Sequence, residues 1–221
     1  MRNRWLGLVI AVVAAAASIW AYPRLPPEVP THWNFTGEPD DYSSRLFAVT
    51  LGPAMLVAMT LLFQVLPKID PRGRNYEKFR DTYWLLVNGL LLFGGVVHLA
   101  LLANGVGAPV DMGMVFPVGV GLIFIVLGNY LGRVEPNWFI GIRTPWTLES
   151  ETVWRKTHRI AAWFFVLGGG IVVASALVPG VETEMAFVAT LVLAAAVPAA
   201  LSYILWWREQ RDANAPRGPS T

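Results

Sequence analysis

The chain has 221 residues, 55% hydrophobic and only 14% charged, with a mean hydropathy of +0.49. Soluble domains carry about 25% charged residues, so this composition excludes an ordinary water-soluble domain and points to a multi-pass membrane protein, whose 10 Trp residues suit the headgroup interface. The lack of Cys excludes disulfides, thiolate metal sites and cysteine nucleophiles.

Trp5 to Tyr22 is the first apolar run, preceded by Arg2 and Arg4 and just long enough to cross a bilayer. Its basic start and Ala-rich body also fit a secretory signal, with Ala16-Ala17-Ser18 as a cleavage site, but the aromatic end at Trp20 and Tyr22 favours a retained anchor. Pro23 to Arg45 is a polar segment that its prolines keep extended, with turns at Gly37, Pro39 and Asp40. Further spans run from Leu46 to Leu66, with a kink expected at Pro53, from Thr82 to Ala103, from Met112 to Leu131, from Ile160 to Val178 and from Met185 to Trp207. The reading is an all-α polytopic protein of six transmembrane helices. It divides into a membrane region over residues 1–66 with an outer HWN-containing loop, a second over 67–207, and a disordered tail over 208–221.

Of the 17 Lys and Arg, all but Arg24 and Arg45 fall on one side of this topology. Positive residues stay cytoplasmic, which puts both termini and the stretch from Gly128 to Arg159 inside and the HWN loop outside. The net charge of +2 is accounted for by these topology signals, and no direct nucleic-acid partner is expected beside the lipid bilayer.

None of the six apolar cores holds Asp, Glu, Lys or Arg. Ion-coupled transporters and intramembrane hydrolases need such groups at depth, so a permease is disfavoured. Asn88 and His98 are expected to hydrogen-bond between helices. In the outer loop, His32, Asp40 and Asp41 offer imidazole and carboxylates to a metal, but without a spacing motif. The preferred reading gives His32 and Asn34 to turn backbone and docks Trp33 and Phe35 at the interface, with no metal and no cofactor. The rigid aromatic and polar surface still suits an extracellular partner.

On the inner side, Ser150 or Thr147 is placed to cap a helix entering the fifth span, with Glu149 and Glu151 at its positive end. Trp154 and His158 are four apart and share a face, beside a stripe of Arg155 and Arg159. One reading is a His-Trp-Arg site facing Asn137 and Arg143 across a pocket. The other is interfacial anchoring, with Trp138, Trp146 and Trp154 at headgroup depth and the arginines on lipid phosphate. Asn137, Gly141 and Pro145 favour a fixed shape, because anchoring requires no such turn chemistry.

GN at 128–129, PNWFIGIRTPWTL at 136–148 and VWRKTHR at 153–159 resemble the signature of the SdpI family of bacterial membrane proteins, named for an immunity protein against a secreted peptide toxin. Pro30, His32, Trp33, Asn34, Gly37, Pro39, Asp40 and Tyr42 resemble the uncharacterised domain that often precedes that signature. The resemblance implies a six-helix plasma-membrane protein that is not an enzyme. Its outer ligand surface would be His32, Trp33, Asn34, Gly37, Asp40 and Tyr42. Its inner signature would be Asn129, Asn137, Gly141, Arg143, Thr144, Pro145, Trp146, Trp154, His158 and Arg159. The implied partners are an extracellular peptide toxin and a cytoplasmic transcriptional repressor. The rival readings are a small-solute transporter and a membrane enzyme acting on an envelope precursor through His32 and Asp40 or through His158.

Overall fold

The computed structural model of the chain describes residues 4–34, 36–178 and 180–214. The apolar runs fold as α1 (Leu6–Ala21), α2 (Arg45–Ile69), α3 (Arg80–Gly105), α4 (Met112–Leu131), α6 (Glu151–Leu177) and α7 (Thr183–Ala213), with a short α5 (Pro145–Glu149) before α6. The six long helices are each long and apolar enough to cross a membrane, and the chain is a multi-pass membrane protein. Side-chain caps set several starts: Ser44 accepts from the Phe47 amide of α2, Asp111 from Met114 of α4 and Ser150 from Val153 of α6. Each satisfies an N–H that the first helical turn leaves free.

The helices pack as two sets, α1 with α2 and α3, and α4 with α6 and α7, joined along α3 and α4. The α4–α6 seam is the closest. A Cβ on Gly121 would sit 2.7 Å from the Gly169 carbonyl oxygen and one on Gly169 would sit 2.5 Å from that of Gly121. In a bilayer no hydrophobic force drives helices together, so such backbone contact through small residues supplies the attraction.

Three expectations change. The outer segment is a β-hairpin, not only an extended loop: β1 (Glu28–Trp33) pairs antiparallel with β2 (Pro39–Ser44), with irregular register between Pro30 and Trp33. A lone hairpin is marginal in water; this one is anchored by buried Val29, which packs with Leu25, Ala48 and Leu102. Second, α2 continues through Pro67 to Ile69, so the division between residues 66 and 67 falls inside a helix. Third, Arg208 to Ala213, expected as disordered tail, extend α7, because a helix need not stop where its apolar face does. Phe35 and residues 215–221 lie outside the described residues.

Where three helices meet, His98 is buried and its Nε2 is 2.9 Å from the Ser18 hydroxyl of α1. Gly52 of α2 makes room, since a Cβ there would lie 2.2 Å from the imidazole Nδ1. The expected interhelical role of His98 therefore holds. His98→Gln is predicted to keep membrane abundance and to lower the unfolding temperature in detergent by the equivalent of about 1 kcal/mol, because an amide replaces one imidazole hydrogen bond.

Candidate functional site

Alternation of the spans places the hairpin at one end of the bundle and residues 70–80 and 132–150 at the other. At this second, loop end, the connector between α2 and α3 and the segment after α4 are tied into one knot. Asp70 stands at the C-terminal end of α2, where the helix dipole disfavours a carboxylate, and it is 6% exposed. Three donors offset that placement: the Arg72 amide at 2.7 Å, the Tyr76 hydroxyl at 3.0 Å and the Trp138 amide at 2.9 Å. Burial first, then the hydrogen bond and charge of Asp70, push the Tyr76 phenol well above its ordinary pKa, with Arg143 opposing. Tyr76 therefore stays a donor.

Asn137 is the second centre and is fully buried. Its Oδ1 accepts from the amides of Phe139 and Ile140, at 2.9 and 2.7 Å, and lies 3.2 Å from the Tyr76 hydroxyl, whose one proton it shares with Asp70. Its Nδ2 donates to the carbonyls of Glu135 and Ile140, at 2.9 and 3.0 Å. Across the knot, Asn75 donates to the Pro136 carbonyl and Arg72 to that of Leu148. The loop backbone is thus held by side chains where no regular structure would pair it.

The third centre is the pair Trp154 and His158, with ring centroids 4.1 Å apart and stacked. The Trp154 indole donates to the Val134 carbonyl at 2.7 Å. His158 Nδ1 lies 2.8 Å from the Trp154 carbonyl and Nε2 accepts the Ile142 amide at 3.0 Å. A carbonyl only accepts and an amide only donates, so the proton sits on Nδ1 and the ring is neutral. Gly141, at φ +111°, passes over this ring, and a Cβ there would lie 2.3 Å from Nε2. Thr144 caps α5 in a reciprocal box with Thr147, Pro145 occupies the first turn, and the Thr144 hydroxyl reaches Ser202 of α7 at 2.9 Å. Trp146 rests on Tyr203 with centroids 5.0 Å apart.

Several expectations are corrected here. The space between His158 and Asn137 is filled by the loop backbone they bind, so they do not face each other across a pocket. Trp154 is fully buried and is no headgroup anchor. Arg143 points outward and donates to the Trp138 carbonyl at 2.8 Å. Arg159 is exposed, and Asn129 is exposed and bonds the Ile125 carbonyl of its own helix; neither joins the knot. Of the two capping candidates, Ser150 starts α6 and Thr147 serves α5. Sequence reasoning missed Asp70, Arg72, Asn75 and Tyr76. The available signal was a carboxylate at the unfavourable end of a helix, directly followed by Pro71, with Gly73 two residues further on.

What the knot presents is a fixed surface. Trp138 is 47% exposed beside outward Arg143, and Asp70, which holds the Trp138 amide, also lines an open depression of about 760 Å³ together with Lys68, Arg72 and Arg74 and with Glu77, Glu149 and Glu151. Both nitrogens of His158 are committed to backbone, so the geometry supports holding a shape for recognition.

At the hairpin end, His32 Nδ1 and Asp40 Oδ1 are 2.5 Å apart across the strands and both side chains are exposed. Asn34, as expected, organises the turn: its Oδ1 accepts from the amides of Thr36 and Glu38, each at 3.0 Å. His32 instead pairs with Asp40, contrary to the expectation that it serves turn backbone. Gly37, at φ +84°, abuts Gly113 in the first turn of α4. Tyr42 is 52% exposed, whereas Trp33 is half-buried. Asp41 turns to the Tyr42 amide, and among the described residues no three His, Asp or Glu converge as metal ligands.

Residues 133–204 match the SdpI/YfhL protein family and residues 9–57 match a domain of unknown function, DUF1648. The first covers the loop, α5, α6 and most of α7; the second covers most of α1, the hairpin and half of α2. The chain is 27% identical over 203 residues to the immunity protein SdpI of Bacillus subtilis (strain 168), spanning 92% of this chain and 95% of that one. No solved structure matches.

Proposed function

The chain belongs to the SdpI/YfhL protein family, and from that premise we propose that it gives its cell immunity to a membrane-active peptide toxin. The observation that carries the proposal is the end-to-end likeness to an immunity protein, 203 residues that take in both the hairpin and the loop knot. A likeness confined to the spans would speak only for a membrane protein.

The two ends divide the work. The hairpin meets the peptide outside, through His32, Trp33, Asp40 and Tyr42, while Asn34 and Gly37 set the shape of the turn. The knot lies in the cytoplasm, where its mixed-charge depression and the exposed Trp138 and Arg143 receive a transcriptional repressor when toxin is present. Catalysis, metal and cofactor have no part in this reading. Charge supports the orientation, since Arg24 and Arg45 are the two basic residues at the hairpin end and each lies over an aromatic ring, Trp20 and Tyr22 respectively. A reporter fused after Gly37 is expected to read as external and one after Gly141 as cytoplasmic; both on one side would break the topology.

The test is expression in a sensitive bacterium challenged with a panel of pore-forming peptides. Survival against at least one peptide, at wild-type membrane abundance, is the expected result. Unchanged killing by the whole panel would favour another activity, and solute accumulation without protection would favour transport.

A further inference from the structure

Between α3 and α4 runs an apolar groove of about 400 Å³. Leu86, Val87 and Leu90 form one wall, Leu122 and Val126 the other, Ile140 of the loop lines it from the loop end, and among the described residues no polar side chain lines it. It opens toward lipid, because Leu92, Val96 and Leu122 along it are 56, 46 and 52% exposed. From Leu86 to Val96 the groove follows α3 for about 15 Å at 1.5 Å per residue. That is half of a hydrocarbon core about 30 Å thick. A transmembrane helix would need a seat of the full thickness, whereas one acyl chain needs a single leaflet.

Both walls lead to a cation at the loop end. Arg80 precedes Val87 by seven residues, two turns along the same face. Tyr130 follows Val126 by four, and the Arg133 guanidinium lies over its ring at 5.0 Å. Arg80 and Arg133 are exposed, and neither takes part in an ion pair among the described residues.

We propose that this groove is a binding site for one anionic phospholipid of the leaflet at the loop end, one of its two acyl chains between α3 and α4 and its phosphate between Arg80 and Arg133. Ile140 connects the site to the knot, because both backbone polar atoms of Ile140 are held by Asn137. This inference is independent of the immunity reading.

The test is native mass spectrometry of the full chain in detergent with added phosphatidylglycerol or phosphatidylcholine, beside thermal unfolding. One phosphatidylglycerol is expected to be retained, at least fivefold in preference to phosphatidylcholine. Gly89→Phe should abolish retention while unfolding unchanged without lipid, since Gly89 lines the groove and a Cβ there meets nothing within 4 Å. Arg80→Gln with Arg133→Gln, both at exposed positions, should remove the headgroup preference and leave the fold intact. Equal retention of the two lipids by the wild type would overturn the proposal, as would phosphatidylglycerol retention unaffected by either variant. Displacement by a leucine-rich transmembrane peptide with no effect of phosphatidylglycerol would assign the groove to a protein helix and overturn it equally.

Discussion

Asn137→Ala is expected to disable the protein at the loop end and to lower its stability by at least about 3 kcal/mol. The amides of Phe139 and Ile140, the Tyr76 hydroxyl and the carbonyls of Glu135 and Ile140 all end on this one side chain. Alanine leaves the two amides and the two carbonyls unpaired in a place where Asn137 is 0% exposed, while the Tyr76 hydroxyl keeps Asp70, and each buried unpaired group costs about 1–3 kcal/mol. The sum is not additive, because the loop relaxes and admits water. Asn137→Asp separates shape from charge. It keeps the acceptor bonds but loses both donors, and it puts a second carboxylate on the Tyr76 hydroxyl already shared with Asp70. Thermal unfolding in detergent and proteolysis between Arg133 and Pro145 should show both variants strongly weakened. Wild-type protection of the loop in Asn137→Ala would mean that the knot does not depend on this residue.

Gly141→Ala is the second large effect. At φ +111° a side chain is strained, and its Cβ would lie 2.3 Å from His158 Nε2 and 3.2 Å from Cδ2. The ring cannot stay. Moving it breaks the bond from the Ile142 amide and the stack on Trp154. About 1–2 kcal/mol of backbone strain and about 1–3 kcal/mol for the orphaned amide add to a loss near that of Asn137→Ala. His158→Ala should cost about as much for a different reason, the cavity and unpaired amide it leaves. The double variant distinguishes clash from strain: with the ring gone, Gly141→Ala retains only its backbone cost, so the combined loss should fall well below the sum of the two single losses. Full additivity, measured from unfolding temperatures, would show that the two residues do not meet.

The spans were readable because lipid imposes a simple rule, an uninterrupted apolar run of sufficient length, and six such runs became six helices. The hairpin was not readable. Pro30 stands inside β1, where proline argues against a strand, and β2 reads PDDYSS, with one strong strand former and no alternation of apolar residues. The C-terminal part of α7, Arg208 to Ala213, was missed because hydropathy marks the membrane edge while the backbone continues helically into water. Within the knot, Trp154 and His158 could be paired by their spacing along a helix. Asp70 could not be joined to Trp138, nor Tyr76 to Asn137, that way, because the contacts cross more than sixty positions and no local rule reaches that far. The aromatic content of the 136–154 stretch also suggested headgroup anchoring for Trp154, which the fold instead encloses.

The most direct test of the immunity proposal places purified protein in liposomes with a peptide against which it protects cells, and follows peptide retention and solute leakage together. Saturable retention of the peptide, weakened by Asp40→Ala and unchanged by Arg143→Ala, with no protein-dependent solute flux or chemical change in the peptide, is the predicted result. Solute flux without retention, or peptide cleavage, would contradict it.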